Sequence, residues 1–387
     1  MNNFILFHPL RSGLRRTLSQ SMFAASASLC AIATLAQPAT ATEAPTPAAA
    51  TAPTADLVQQ LSAAVPKGGR LVVAEQNEQA SIPWKLSGAD KNAPYGITFA
   101  NFNGGPAVLE ALISGAVDVG YIGEAPLPIA IAAGVDDLVA VALVANPGSP
   151  GNYYLVTQPG SGIRDVKGLA GKTIAYPPGT GRHMVLSGIL HENGLKIGET
   201  VKGVELAGSE VAPTFASRSV DAAIVLGGQY FRVGEPPILA DGRGHNWGLY
   251  ALVARRAALD DPAKSAAIAD FVRRAVQFNN WQKKHPDEWI KASLVARQGL
   301  TFAQGQRLVE ESGQGSFYPI DADAIKVFQE ISDGLHETGA LRKKIDIAPY
   351  VDNRFNSIVD WQNKTDAITP PALYPPTRTS DASRSPS

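Results

Sequence analysis

Three loops marked by glycine or proline each lead into a helical pattern, and each could bind an anion. They are Asn103-Gly104-Gly105-Pro106, Gly123-Glu124-Ala125-Pro126 and Pro178-Gly179-Thr180-Gly181. The first turn of a helix leaves main-chain N–H groups unpaired and carries a partial positive charge, so it attracts negative groups. Glycine at such a turn lets a ligand approach the main chain closely. Three such loops at successive strand-to-helix junctions predict a binding site for a small anion.

Side chains near these loops would have to supply much of the affinity. A helix start contributes about 0.3–1 kcal/mol to an exposed anion and up to ~2 kcal/mol to a partly buried one. Micromolar binding needs roughly 8 kcal/mol, so charge-assisted hydrogen bonds of about 1.5–3 kcal/mol each must be added. Thr180, Arg182 and His183 are the nearest donors. Each has a structural alternative: Arg182 could pair with a surface acid, His183 could be a packed histidine, and Glu124 could cap the next helix.

The pH dependence of binding would separate these side chains. If His183 bound the anion as imidazolium, affinity would fall as the pH rises through about 6.5, its unperturbed pKa. A Glu124 carboxylate would instead act near its unperturbed pKa of about 4.3. Helix starts and one arginine can neutralise a monoanion by themselves, so we expect a flat profile from about pH 6 to pH 9.

Motifs of common enzyme and cofactor sites are missing or incomplete in the sequence. It has no Gly-x-Ser-x-Gly motif, no histidine pair at the His-x-x-x-His spacing of zinc sites, and no complete P-loop before Gly171-Lys172-Thr173. A dinucleotide loop at 179–184 would need glycine at Met184, although Glu205 could act as its ribose acid. The single cysteine, Cys30, and the net charge of −1 disfavour thiol chemistry and nucleic-acid binding. We therefore expect no catalytic residue, no metal and no cofactor.

Apolar runs of strand type alternate with helical stripes between residues 57 and 364. The strand-type runs are at 71–74, 97–102, 117–121, 138–145, 172–176, 220–226 and 249–254. This alternation predicts an α/β fold in which mostly parallel sheets are flanked by helices. Segments 114–124 and 217–229 share a Val-Asp pair before a strand and a glycine-containing loop, which suggests two related lobes.

The two ends of the chain differ in composition from this body. Residues 1–41 have the arginines, the short apolar run and the small residues of a cleaved signal peptide. Residues 42–56 are rich in alanine, proline and threonine and predict a flexible segment, and the same holds for the proline- and serine-rich tail at 365–387. We expect export to the periplasm by the general secretory or the twin-arginine route.

The motifs at the anion-binding loops resemble those of substrate-binding proteins of ABC importers, in the aliphatic sulfonate (taurine/nitrate/sulfonate) group. The stretches that carry the resemblance are 102–112, 115–126, 168–174, 239–242 and 336–341. The resemblance implies a two-lobed type II clamshell, with lobe 1 at 57–151 and 249–364 and lobe 2 at 152–248. It implies chain crossings near Asn152–Leu155 and Trp247–Tyr250. It also implies a monomer that is not membrane-spanning, whose partners are an ABC permease and an ATPase.

The family's pocket falls, residue by residue, on loops at the edges of the two lobes. By this resemblance the ligand-binding residues are Gln76, Asn77, Gly104, Gly105, Glu124, Ala125, Thr180, Gly181, Arg182, His183 and Gln229. The implied ligand is an aliphatic organosulfonate imported as a sulfur source.

Two departures from the family pattern bear on the ligand. The Trp-Asp-Pro-like segment of relatives reads Gly227-Gly228-Gln229-Tyr230 here, and the stretch 79–96 with Trp84 is less helical than its counterpart. Taurine, nitrate or an aromatic sulfonate therefore stay as alternative ligands. An enzyme on the same fold is a further alternative, although relatives of that sort rely on cysteine chemistry. Trp84 and Trp247 could wall the ligand or belong to the core.

Overall fold

The computed structural model describes residues 57–147, 149 and 152–373 as alternating helices and strands. The expected signal peptide with Cys30, the segment 42–56 and residues 374–387 of the expected tail lie outside this range. The helices are α1 (Leu57–Ala64), α2 (Ser81–Leu86), α3 (Gly105–Ile113), α4 (Pro126–Ala132), α5 (Gly181–Glu192), α6 (Val211–Ala216), α7 (Gly227–Arg232), α8 (Arg256–Asp260), α9 (Pro262–Lys284), α10 (Pro286–Trp289), α11 (Phe302–Ser312), α12 (Ala322–Glu337) and α13 (Asn356–Thr365). The strands are β1 (Arg70–Gln76), β2 (Gly96–Phe102), β3 (Val119–Gly123), β4 (Leu138–Ala145), β5 (Tyr153–Thr157), β6 (Thr173–Tyr176), β7 (Lys202–Glu205), β8 (Ala222–Leu226), β9 (Ile238–Asp241), β10 (Tyr250–Arg255) and β11 (Ser316–Tyr318).

The strands form two sheets, each covered by helices, and this confirms the expected two-lobed α/β architecture. The first sheet has the order β11-β4-β10-β3-β1-β2, and the second has the order β7-β6-β8-β5-β9. Most strands of each sheet run in the same direction, as expected, and the exceptions are β10 and β11 in the first sheet and β5 in the second. Parallel pairs join β1 to β2 and β3, and β6 to β7 and β8. The strands β5 and β10, which the chain enters after passing from one sheet to the other, run antiparallel to their neighbours.

The same hydrogen-bond arrangement around an aspartate occurs in both sheets, which supports the internal similarity seen in the sequence. In the first sheet the carboxylate of Asp118 accepts a hydrogen bond from the N–H of Val72, at 2.8 Å, and the Asp118 N–H donates to the Val72 carbonyl. In the second sheet Asp221 forms the same pair of bonds with Thr173. The strand orders β2-β1-β3-β10-β4 and β7-β6-β8-β5-β9 also correspond, since each places the crossing strand beside the third parallel strand.

The segment from residue 290 to 309 packs on the second lobe and not on the first. Ile290, Leu294, Leu300 and Leu308 share one buried cluster with residues of β5, β8 and α7. The preceding helix α9 instead packs in the first lobe, in a cluster with residues of β1, β3 and β4. The expected assignment of all residues 249–364 to lobe 1 therefore does not match the packing, because these apolar side chains cover the second sheet.

Trp84 and Trp247 both belong to the core. Trp84 is 3% exposed and packs against Phe99 and Phe271, with ring centroids 5.7 and 6.0 Å away. Trp247 is also buried, in the cluster that contains residues of both sheets. Among the helices of the described residues, none is long and apolar enough to cross a membrane.

Candidate ligand-binding site

A cavity of about 400 Å³ lies between the two lobes, where the starts of α3 and α5 meet the segments that connect the sheets. Its volume falls in the range of about 300–1,000 Å³ that is usual for small-molecule sites. Its walls come from both lobes and from the segment that follows α9. The residues that line it are Gln76, Gln79, Gly104, Gly105, Ile122, Gly123, Pro126, Asn146, Ser149, Asn152, Tyr153, Thr180, Gly181, Arg182, Leu226, Gly248, Leu249, Tyr250, Asn279, Gln282, Trp289, Leu294, Leu308, Val309, Ser312, Gly313, Gln314 and Gly315.

The start of α5 forms one side of the cavity. Thr180 is the N-cap: its hydroxyl accepts a hydrogen bond from the N–H of His183 at 3.4 Å and donates to the Pro177 carbonyl at 2.9 Å. Gly181 has no space for a side chain, because an added Cβ would lie 2.5 Å from the hydroxyl of Tyr153. The glycine therefore lets Tyr153 approach the first turn of the helix, where unpaired N–H groups attract anions.

The start of α3 forms the facing side. Gly104, its N-cap, has a φ of 109°, which L side chains rarely adopt. A Cβ added to Gly105 would lie 2.8 Å from Cγ of Pro126, so α3 and α4 pack closely at this point. Asn103 donates its side-chain N–H to the Ser209 hydroxyl at 2.6 Å, and this bond joins the two lobes beside the cavity.

Arg182 supplies the positive charge of the site. It is 7% exposed, and its guanidinium donates to Oε1 of Gln229 at 2.9 Å and to the Gly208 carbonyl at 3.2 Å. Burial lowers the pKa of Arg182 to about 10, so the side chain stays charged at neutral pH. Of the described residues that line the cavity, Arg182 alone carries a formal charge. Gln229 also donates to the Gly208 carbonyl, at 2.8 Å, and so holds the arginine in place without lining the cavity.

Glu124 is a buried acid behind the cavity wall. Its side chain is 1% exposed and makes no capping bond to α4, and Oε2 accepts a hydrogen bond from the Trp247 N–H at 3.3 Å. Burial raises the pKa of Glu124 to about 8, although N–H groups of Trp247 and Leu249 oppose the shift. The carboxyl is therefore protonated at neutral pH, and the unperturbed pKa assumed from the sequence was wrong. Because Oε2 accepts a bond, the proton belongs on Oε1, which has no partner among the described residues.

His183 is packed and neutral. Its ring lies against Tyr176 with centroids 4.9 Å apart, and Nδ1 accepts a hydrogen bond from the Gly179 N–H at 3.3 Å. Burial lowers the pKa of His183, which disfavours the imidazolium form. Through its hydrogen bond with Gly179, the imidazole helps to hold the loop before α5 in place.

The predicted site residues divide into two groups. Those that line the cavity are Gln76, Gly104, Gly105, Thr180, Gly181 and Arg182. Those that the structure places behind the wall or beside it are Asn77, Glu124, Ala125, His183 and Gln229. Asn77 has a φ of 52° in the turn after β1, and Ala125 is fully buried before α4.

Sequence reasoning missed several polar residues of the cavity. Tyr153 comes from the connection into β5, and Asn146 from the end of β4. Asn279 and Gln282 lie on α9, where side-chain amides interrupt an otherwise apolar stripe. That interruption is a usable signal, because an amide on a buried helix face needs a hydrogen-bond partner. Within the described ranges no group of three or more His, Cys, Asp and Glu residues could hold a metal ion.

Comparisons with known proteins agree with this geometry. Residues 95–241 match the family model of the periplasmic substrate-binding proteins of phosphonate ABC transporters. The chain is 30% identical over 271 residues to an aliphatic sulfonates-binding protein of Bacillus subtilis (strain 168), which covers 67% of this chain and 77% of that protein. It is 27% identical over 255 residues to the aliphatic sulfonates-binding protein of Escherichia coli (strain K12), and the match covers 65% of this chain and 77% of that protein.

Solved structures show the same architecture. The alkanesulfonate-binding protein of Xanthomonas axonopodis pv. citri, bound to MOPS, superposes with a TM-score of 0.66 and 26% identity over 74% of this chain and 99% of that one. The periplasmic nitrate-binding protein of Synechocystis PCC 6803 superposes with a TM-score of 0.60 over 78% of this chain and 90% of that one. At 11% identity that second likeness concerns the fold alone.

Proposed function

The chain belongs to the periplasmic substrate-binding proteins of ABC importers, in the sulfonate group, and on that premise we propose that it captures an organosulfonate monoanion for import as a sulfur source. One observation carries the choice of ligand. Among the described residues that line the cavity, a single one carries a formal charge, Arg182, in the first turn of α5. A sulfonate neutralises this charge and offers three oxygens to the N–H donors around it.

The size of the cavity favours an organic anion over nitrate. About 400 Å³ is far more than the ~30 Å³ that one water occupies in the liquid. Apolar side chains such as Leu226, Leu249 and Leu308 line part of it and would contact a hydrocarbon chain. Burial of that chain contributes about 0.8 kcal/mol per CH₂ group.

The proton on Glu124 removes a negative charge next to the site in this proposal. An added Cβ on Gly181 would lie 3.5 Å from Oε1 of Glu124, so this oxygen lies next to the α5 start. A neutral carboxyl behind the wall does not oppose the sulfonate, whereas a carboxylate would repel it. Arg182 and the helix starts then hold the anion without an opposing charge.

Binding without turnover tests the proposal. We expect pentane-1-sulfonate to raise the free energy of unfolding by about 2.7 kcal/mol at a free concentration one hundred times its dissociation constant. Urea unfolding with and without ligand measures this. The ligand recovered from the mixture should have its original mass, since a binding protein releases what it captures. A recovered product of different mass would instead favour an enzyme on this fold, and tighter binding of nitrate would refute the organic ligand.

Export with cleavage of residues 1–41 is the remaining part of the proposal. We expect the protein in its native host to begin between Gln37 and Glu43, because small residues follow the short apolar run. Intact-mass spectrometry of the periplasmic fraction measures this. A full-length species that starts at Met1 and stays in the cytosol would contradict it. An ABC permease and its ATPase would then receive the loaded protein.

A further inference from the structure

One wall of the cavity is built from side-chain amides on elements other than the starts of α3 and α5. Asn279 of α9 donates its NH₂ group to the Gly315 carbonyl at 3.0 Å. Gln314 donates its NH₂ group to the Gln282 carbonyl at 3.3 Å. Asn146, at the end of the first sheet's β4, donates in the same way to the Ser312 carbonyl. All three amides line the cavity.

These bonds determine which atom of each amide is left for a ligand. A main-chain carbonyl only accepts hydrogen bonds, so each amide must present its NH₂ group to the protein and keep its oxygen for another partner. Oε1 of Gln314 is buried without any hydrogen-bond partner in the described part of the chain. An acceptor in that state costs free energy unless a ligand or water donates to it. The wall therefore contains at least one acceptor, Oε1 of Gln314, that lacks a donor among the described residues.

The charge of the cavity determines which kind of donor fits. Arg182 is the charged member of the described lining, and a sulfonate already neutralises it. An ammonium group at the other end of the ligand would leave an uncompensated positive charge in a site without a carboxylate in its described lining. A hydroxyl group donates a hydrogen bond without adding charge.

From this juxtaposition we infer that the ligand is a hydroxylated sulfonate, whose hydroxyl group donates its one hydrogen bond to an amide oxygen of this wall, that of Gln314 first, while its sulfonate pairs with Arg182. This inference rests on the proposed function, and it names the chemistry of the ligand's tail. It assigns these amides as specificity-determining residues.

Two ligands with equal numbers of heavy atoms test the inference. In 4-hydroxybutane-1-sulfonate a hydroxyl replaces the terminal methyl of pentane-1-sulfonate. We expect calorimetry to show the hydroxylated ligand binding about fivefold more tightly, since one otherwise unpaired acceptor gains a donor. Gln314→Met removes the acceptor at similar volume, so this variant should keep its affinity for pentane-1-sulfonate and lose the preference.

Controls separate this result from damage to the fold and from failure of the proposed function. Gln60→Met, on the exposed face of α1, should leave the preference unchanged. Asn279→Leu is a second variant that should lower the preference if Gln314→Met does not fold. Equal binding of both ligands by the parent would overturn the inference and leave sulfonate binding intact. If 4-aminobutane-1-sulfonate bound most tightly of the three sulfonates, the inference that the ligand's donor is uncharged would be overturned. If none of the three sulfonates bound, the proposed function itself would be refuted.

Discussion

Replacing Arg182 by alanine should weaken sulfonate binding by at least about thirtyfold. Truncating one partner of a buried, hydrogen-bonded charge pair costs about 2–5 kcal/mol, and about 1.4 kcal/mol corresponds to each factor of ten. Calorimetry with pentane-1-sulfonate measures the loss. Arg182→Lys should restore part of the affinity, because lysine keeps the charge but not the geometry that Gln229 and Gly208 hold.

Arg243→Ala is the matched control for this variant. Arg243 pairs with Asp241 at the surface, where its side chain is 68% exposed, and it does not line the cavity. Its removal should leave both the affinity and the thermal midpoint nearly unchanged, since exposed ion pairs contribute about 0–1 kcal/mol. If Arg182→Ala bound as tightly as the parent while folding normally, the anion would lie elsewhere.

Sulfonate affinity should fall about tenfold between pH 7 and pH 9 because Glu124 loses its proton in this interval. Burial raises the pKa of Glu124 to about 8. Below that pH the neutral carboxyl does not repel the anion, and above it each pH unit lowers the protonated fraction about tenfold. The sulfonate itself stays ionised, and Arg182, with a pKa of about 10, stays charged across most of the interval. The flat profile expected from the sequence is therefore replaced by a decline at alkaline pH.

Glu124→Gln separates this acid from the other groups. Glutamine has nearly the same shape, is uncharged and does not titrate, so the affinity of the variant should stay constant from pH 7 to pH 9. The measurement is the dissociation constant of pentane-1-sulfonate at four pH values in both proteins. A decline of equal size in the variant would assign the titration to another group. A decline centred below pH 6.5 would point back to His183, because burial lowers the pKa of this histidine.

The starts of the ligand-binding helices could be predicted from the sequence because their signals are local. Gly104 and Pro106 mark the start of α3, and Thr180 caps α5 as its hydroxyl chemistry suggests. The protonation of Glu124 could not be predicted, since its pKa depends on burial by tertiary packing, as its hydrogen bond with Trp247, 123 residues away in the chain, illustrates. Gln229 was selected through the family pattern, but its bond to Arg182 shows that it positions a ligand-binding residue and does not line the cavity.

The placement of the segment 290–309 depends on tertiary packing in the same way. Its apolar residues are compatible with packing on either lobe. An amphipathic stripe indicates that one face of a helix is buried, but it does not indicate which part of the protein covers that face. The mixed sheets have a similar cause. The periodicity of β5 and β10 indicates strands, whereas their direction follows from how the chain enters them from the other lobe.

Because residues 290–309 pack on the second sheet, the described part of the chain passes between the lobes four times: from β4 to β5, from β9 to β10, from α9 to residue 290, and from α11 to β11. If only two adjacent segments connected the lobes, one lobe could both rotate about a hinge and twist relative to the other. A second pair, carried by α10 and α11, restrains the twist, so the expected motion is a swing about a single axis. Trp289, Leu308 and Gln314 lie at this second pair and also line the cavity. Opening of the protein would then move the wall around the ligand's tail away at the same time as it separates the two helix starts. Because both movements belong to one step, dissociation of the ligand should follow single-exponential kinetics.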